Sequence, residues 1–93
     1  MKNEVKVLKL TTGEELITRM TEGENGTIIL DRPAACQPLG KDSDGQMIVG
    51  FAAWSFTGKI DKVSLDSKHV IVTLESTAEM GKNYLSFITG ITL

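Results

Sequence analysis

Two side chains in this sequence could take part in nucleophilic or metal chemistry, and each is the single example of its type. They are Cys36 and His69. A structural zinc site needs several thiolate or imidazole ligands, and a thiol nucleophile needs a base beside it. Cys36 lies in an apolar-flanked segment that is typical of a buried thiol, and it has no second cysteine with which to form a disulfide bond. We therefore expect neither a metal site nor a cofactor.

Acidic residues occur in two motifs that could also suggest chemistry. Residues 42–45, Asp-Ser-Asp-Gly, look like the start of a calcium loop, but Ala53 stands where such a loop requires glutamate, which favours a hairpin turn. Glu14 and Glu15 are adjacent, so on a strand they would point to opposite faces and could not act as a catalytic pair. The sequence shows neither a phosphate-binding glycine loop nor a nucleophile elbow. We expect no catalytic residues and no enzyme activity.

The length and composition indicate one ordinary globular domain. The 93 residues are 41% hydrophobic and 24% charged, which suits a single core. No apolar run approaches the ~20 residues that a membrane-spanning helix needs, and the first residues lack the apolar stretch of a signal peptide. We expect a cytoplasmic protein with no membrane contact. A net charge of -2 argues against coating nucleic acid by bulk electrostatics.

Alternation of apolar and polar residues predicts a chain of short strands. Asn25-Gly26 is the signal of a type I′ turn, in which both central residues need positive φ. Pro33 has no N–H group and biases Arg32 toward an extended backbone, so we expect an interruption there, with residues 34–39 as a possible short continuation. Gly50 predicts a bend or bulge in a long apolar strand. The five predicted strands cover residues 4–10, 14–21, 27–31, 46–56 and 70–75.

The end of the sequence changes to helical periodicity. Apolar residues recur at spacings of three and four, which predicts a helix over residues 77–89. Ser76 and Glu79 fit a capping box at its start, and Gly90 fits the position just after its end. The residues on the predicted apolar face are Met80, Tyr84, Phe87, Ile88 and Ile91.

This order of elements resembles the Sm/LSm superfamily, and more closely the small Sm-like proteins of marine cyanophage and ocean-derived sequences. The resemblance is carried by residues 7–17, Val-Leu-Lys-Leu-Thr-Thr-Gly-Glu-Glu-Leu-Ile, by the proline after the third strand and by the helix over residues 76–88. It implies a mainly β fold, a small and strongly bent five-stranded Sm-like barrel of the SH3 type with one C-terminal helix. The better-known Sm proteins carry their helix at the N-terminus.

The resemblance also implies assembly into a ring. In Sm-like rings the fourth strand of one subunit pairs with the fifth strand of the next. The two corresponding segments here are apolar and contain few of the charges that edge strands use to prevent pairing. We expect a homo-oligomeric ring of about five to seven subunits. The predicted interface residues are Met47, Ile48, Val49, Phe51, Val70, Ile71 and Val72.

RNA is the partner that the resemblance implies. Lys68-His69 is similar to the Lys-His pair that opens the last strand of the bacterial Sm-like RNA chaperone, so these two residues form the predicted nucleic-acid site. Sm proteins bind RNA through an Asp…Asn loop and an Arg-Gly or Lys-Gly motif, and this sequence offers only Asn25. The alternative is therefore a structural or protein-interaction ring without a nucleic-acid site, in the host cytoplasm if it is encoded by a phage.

Overall fold

The computed structural model describes residues 4–54 and 61–89. It is mainly β, with 60% of the described residues in strands and, among them, a single helix at the C-terminal side, which confirms the predicted class. The elements are β1 (Glu4–Leu10), β2 (Glu15–Glu22), β3 (Thr27–Lys41), β4 (Met47–Ala53), β5 (Lys62–Asp66), β6 (Val70–Glu75) and α1 (Ala78–Thr89).

The strands form one antiparallel sheet with the order β4-β3-β2-β1-β6, and β5 also pairs with β3. The structure thus has six strands and not the predicted five, because β5 lies in a segment that we expected to be a loop. The sheet does not close into a barrel. Within the described ranges no strand pairs with the outer edge of β4 or with that of β6.

β3 is the strand around which the sheet is built. Its first half pairs with β2 and β5, and its second half pairs with β4. The predicted interruption at Pro33 is wrong, since the strand continues through it to Lys41. The predicted extended backbone at Arg32 is also wrong: its φ is +51°, in the left-handed region. The register between β2 and β3 shifts beside this residue, whose N–H donates to the carbonyl of Asp61.

The irregularity predicted at Gly50 lies elsewhere. β4 pairs with β3 in regular register across Gly50, and the register shift falls on β3 between Pro38 and Gly40. β4 ends at Ala53, so the predicted strand end at residues 55–56 lies outside the described residues. The predicted hairpin turns are confirmed: Asn25 and Gly26 both have positive φ, and the Asp42 carboxylate accepts hydrogen bonds from the N–H groups of Asp44 and Gln46.

The sheet is buried on both faces near its centre. One cluster is formed by Leu8, Leu10, Leu16 and Leu30, with β5 residues Val63 and Leu65 packed against it. The other lies under α1 and contains Ile17, Ala34 and Tyr84. Leu16 and Ile17 are neighbours on β2, and each is fully buried in a different cluster. β2 is therefore an interior strand covered on both sides.

Helix α1 begins and packs slightly differently from the prediction. The Met80 N–H donates to the Thr77 hydroxyl, so Thr77 is the cap and the capping box of Ser76 and Glu79 is wrong. Tyr84 is fully buried, whereas Phe87 is 46% exposed. The predicted positions of Gly90 and Ile91 lie outside the described residues. No helix in the described ranges is long and apolar enough to span a membrane.

Candidate functional site

The two open edges of the sheet carry most of the exposed apolar side chains in the described ranges. On β4 these are Met47, which is 61% exposed, and Ile48. On β6 the most exposed is Ile71, at 68%, followed by Leu74 and Val72. The remaining predicted interface residues are half-buried: Val49, Phe51 and Val70. Within one chain, the β4 residues and the β6 residues lie on opposite edges of the sheet.

The geometry of β6 explains why Ile71 is so exposed. β6 pairs with β1, and the register shifts between Lys9, which faces Val72, and Leu10, which faces Val70. Ile71 therefore has no opposite residue on β1 and forms a β-bulge. A bulge on an edge strand increases the local twist, and here it turns an apolar side chain away from the core of its own chain.

Two further apolar side chains flank β4, and sequence reasoning missed both of them as surface features. Leu39 of β3 covers Gly50, since a Cβ at Gly50 would lie 2.7 Å from its Cδ1 atom. Phe87 of α1 meets Phe51 edge-on, with ring centroids 5.9 Å apart and an interplanar angle of 68°. The signal for Leu39 was present in the sequence, because a glycine on a strand often marks the close approach of another group.

The predicted nucleic-acid residues lie in a single 3-10 turn between β5 and β6. Lys68 and His69 are both exposed there, and the Asp66 carboxylate accepts the Lys68 N–H at 3.0 Å. The Ser67 N–H donates to the Gly26 carbonyl at 2.9 Å, which brings this turn beside the Asn25-Gly26 turn. The structure thus joins two loops that are about forty residues apart in the sequence.

The charges around this pair of loops are mixed. The Lys68 ammonium lies 3.9 Å from the Asp66 carboxylate, and its side chain is 74% exposed. A shallow cleft of about 290 Å³ lies where the two loops meet. Glu22 forms part of its wall, together with Gly23, Gly26, Thr27, Ile28 and Ser67. The only charged side chain in this wall is acidic, and Lys68 lies outside it on the same turn as Ser67.

Cys36 lies at an open cleft of about 430 Å³ between the β1–β2 turn and β4. Burial raises the pKa of its thiol to about 11, and the nearby Glu15 carboxylate adds to this. The thiol is thus protonated at neutral pH and is a poor nucleophile. On the rim, Glu14 accepts hydrogen bonds from the indole N–H of Trp54 at 2.9 Å and from the hydroxyl of Thr12 at 2.8 Å.

Among the residues that the structure describes, no three His, Cys, Asp or Glu side chains lie close enough together to hold a metal ion. The His69 carbonyl accepts a hydrogen bond from the Thr11 N–H, just after the end of β1. Cys36 instead packs against the cluster under α1. Compared with known proteins, the chain matches no family model and no curated protein sequence.

Proposed function

We propose that this protein is a non-enzymatic, self-assembling module of the Sm-like type, in which the β4 edge of one copy pairs with the β6 edge of the next. The observation that supports this proposal is the pair of open sheet edges, both apolar and both lacking a strand partner within the described chain. Neither residues 47–53 nor residues 70–74 contain a charged residue.

Edges of this kind are unfavourable in an isolated chain. Exposed ladder groups with apolar side chains promote uncontrolled pairing, and natural edge strands are usually interrupted by lysine or proline. Because the β4 and β6 edges differ, their pairing is head-to-tail, which leads to a closed ring when the rotation between copies permits it. Ring closure gives every edge a partner. This accounts for both apolar edges without invoking a second kind of protein.

A lysine in place of Ile71 tests the assembly. The Ile71→Lys variant should elute as a monomer or as an aggregate, because a charged side chain would have to be buried between the paired edges. The measurement is size-exclusion chromatography with light scattering over a range of protein concentrations. Thr11→Lys adds the same charge at an exposed turn and should assemble like the wild type. An unchanged mass for Ile71→Lys would contradict the proposed interface.

RNA binding is the second candidate function, and the contact between Ser67 and Gly26 favours it. That contact places Asn25, Lys68 and His69 at one end of the sheet, where exposed polar groups could meet a phosphate and a base. In a ring, the same cluster would be repeated around the axis, so a few cations per copy would add up despite the net charge of -2.

Binding of oligo-U and oligo-A at increasing salt concentrations tests this second function. Affinity should fall with salt, and the double variant Lys68→Ala/His69→Ala should bind about tenfold more weakly with a smaller salt slope. Lys82→Ala removes an exposed cation from α1 and serves as the control. Binding that is absent even at low ionic strength, or unchanged in the double variant, would leave a structural ring without a nucleic-acid site.

A further inference from the structure

The outer edge of β4 is bordered by an apolar side chain on each face of the sheet. Successive residues of a strand point to opposite faces, so Gly50 and Phe51 mark the two faces of β4. Leu39 covers the Gly50 side and Phe87 covers the Phe51 side. Both remain open to solvent, since Leu39 is 65% exposed and Phe87 is 46% exposed. A strand added at this edge would therefore meet apolar groups above and below it.

β6 has the chemistry of the strand that would fit there. Val70 packs against the Leu8 cluster on one face, Val72 and Leu74 are exposed on the other face, and Ile71 extends from the bulge between them. The absence of charge from residues 70–74 means that the strand could enter an apolar site without desolvating an ion.

We infer that Leu39, Gly50, Phe51 and Phe87 form a two-sided clasp that holds β6 of a second copy. This inference rests on the proposed assembly and adds to it two contact residues outside the paired strands, one from β3 and one from α1. α1 then has two roles. Tyr84 packs on the sheet of its own chain, and Phe87, one turn further, contacts the neighbouring copy.

A second copy fits the clasp because one chain carries both halves of the contact. The large apolar side chains that are exposed in the described ranges divide between the β4 side and β6. On the β4 side they are Leu39, Met47, Ile48 and Phe87; on β6 they are Ile71, Val72 and Leu74. A different protein bound at the clasp would leave β6 exposed on every chain, whereas a second copy covers both surfaces in equal number.

Truncation of the two clasp side chains tests the inference on the full-length protein. Leu39→Ser and Phe87→Ser should each raise the concentration at which the assembly half-dissociates by about tenfold or more, because each removes an apolar side chain that the added strand would bury. The controls are Lys41→Ser on the same hairpin and Lys82→Ser on the opposite face of α1, both exposed. These should change that concentration by less than about twofold. Sedimentation velocity over a dilution series gives the measurement.

The outcomes separate the clasp from the edge pairing. If Ile71→Lys dissociates the assembly but Leu39→Ser leaves its dissociation unchanged, the clasp is wrong and the pairing of edges stands. If the wild-type protein is monomeric at every concentration, the proposed assembly fails and the clasp fails with it. Phe87→Ser could loosen α1, so Leu39→Ser is the deciding variant: its side chain is mostly in solvent and its loss leaves the fold intact, as circular dichroism would verify.

Discussion

Replacement of Tyr84 by phenylalanine should lower the free energy of unfolding by about 1–3 kcal/mol, although it removes a single oxygen atom. The Tyr84 hydroxyl lies 2.8 Å from the carbonyl oxygen of Asp31 and 2.9 Å from that of Arg32, and it accepts the N–H of Arg19 at 3.3 Å. Phenylalanine would leave these backbone groups without that partner inside a buried site. Urea unfolding followed by circular dichroism measures the change.

The size of this effect depends on where the hydroxyl is. It contacts β3 at Arg32, whose left-handed backbone is uncommon for a residue with a side chain, costs about 1–3 kcal/mol and persists only where the surroundings hold it in place. Tyr84→Ala also removes the ring from the cluster and should cost about 3–5 kcal/mol. A loss below about 0.5 kcal/mol for Tyr84→Phe would show that the hydroxyl does not anchor β3 at Arg32.

The Tyr84 hydroxyl also predicts a pH dependence. Burial raises the pKa of Tyr84 above its ordinary value of 10.0, with the Arg19 N–H opposing and Asp31 adding to the shift. A pKa raised in the folded state means stability that is complete below pH 10 and is lost as the pH rises further. The advantage of wild type over Tyr84→Phe should therefore shrink above pH 10. Cys36 titrates in the same range, so Cys36→Ala is the proper background.

Replacement of Leu16 by alanine should cost about 2–5 kcal/mol of unfolding free energy, because it opens a cavity in a fully buried cluster. The matched control is Leu39→Ala, the same chemical change at a side chain that is 65% exposed. In the monomer that variant should lose less than about 0.5 kcal/mol. Urea titrations give both values.

Protein concentration distinguishes the two leucines further. The loss for Leu16→Ala should be the same at every concentration, since this residue stabilises the single chain. In the proposed assembly, the loss for Leu39→Ala should grow as the protein concentration rises, because assembly would add to the stability of the folded state. Equal losses of unfolding free energy for Leu16→Ala and Leu39→Ala in the dilute monomer would contradict the difference in burial between the two side chains.

Local signals in the sequence were sufficient for the elements that depend on neighbouring residues. The Asn25-Gly26 turn follows from backbone preferences, and α1 follows from a three-to-four spacing that includes the buried Tyr84. β5 was missed because Val63 and Leu65 become partly buried only when β3 lies beside them. The geometry of Arg32 was missed for a similar reason, since its partners Asp61 and Tyr84 come from distant parts of the chain.

The residues of the candidate site also divide into those that local sequence signals predict and those that depend on distant contacts. The apolar runs that contain Met47 and Ile71 predicted which strands would lie at the edges, because uninterrupted apolar strands are visible in the sequence itself. Leu39 and Phe87 were not predicted at the surface, because their positions depend on the packing of β3 and α1 around β4. The proximity of Lys68 to the Asn25 turn likewise depends on a long-range contact, the Ser67 hydrogen bond to Gly26.

The pairing of β6 with β1 also determines when an assembly-competent edge can exist during folding. β3 and β4 form a local hairpin, whereas Lys6 of β1 and Glu75 of β6 are 69 positions apart in the sequence. Closing a longer loop costs more entropy, so we expect the β6 edge to form later than the β4 edge. A chain that is still being synthesised therefore carries the β4 edge before β6 has been added. In the proposed head-to-tail assembly, two such incomplete chains could not join each other, because neither yet carries β6.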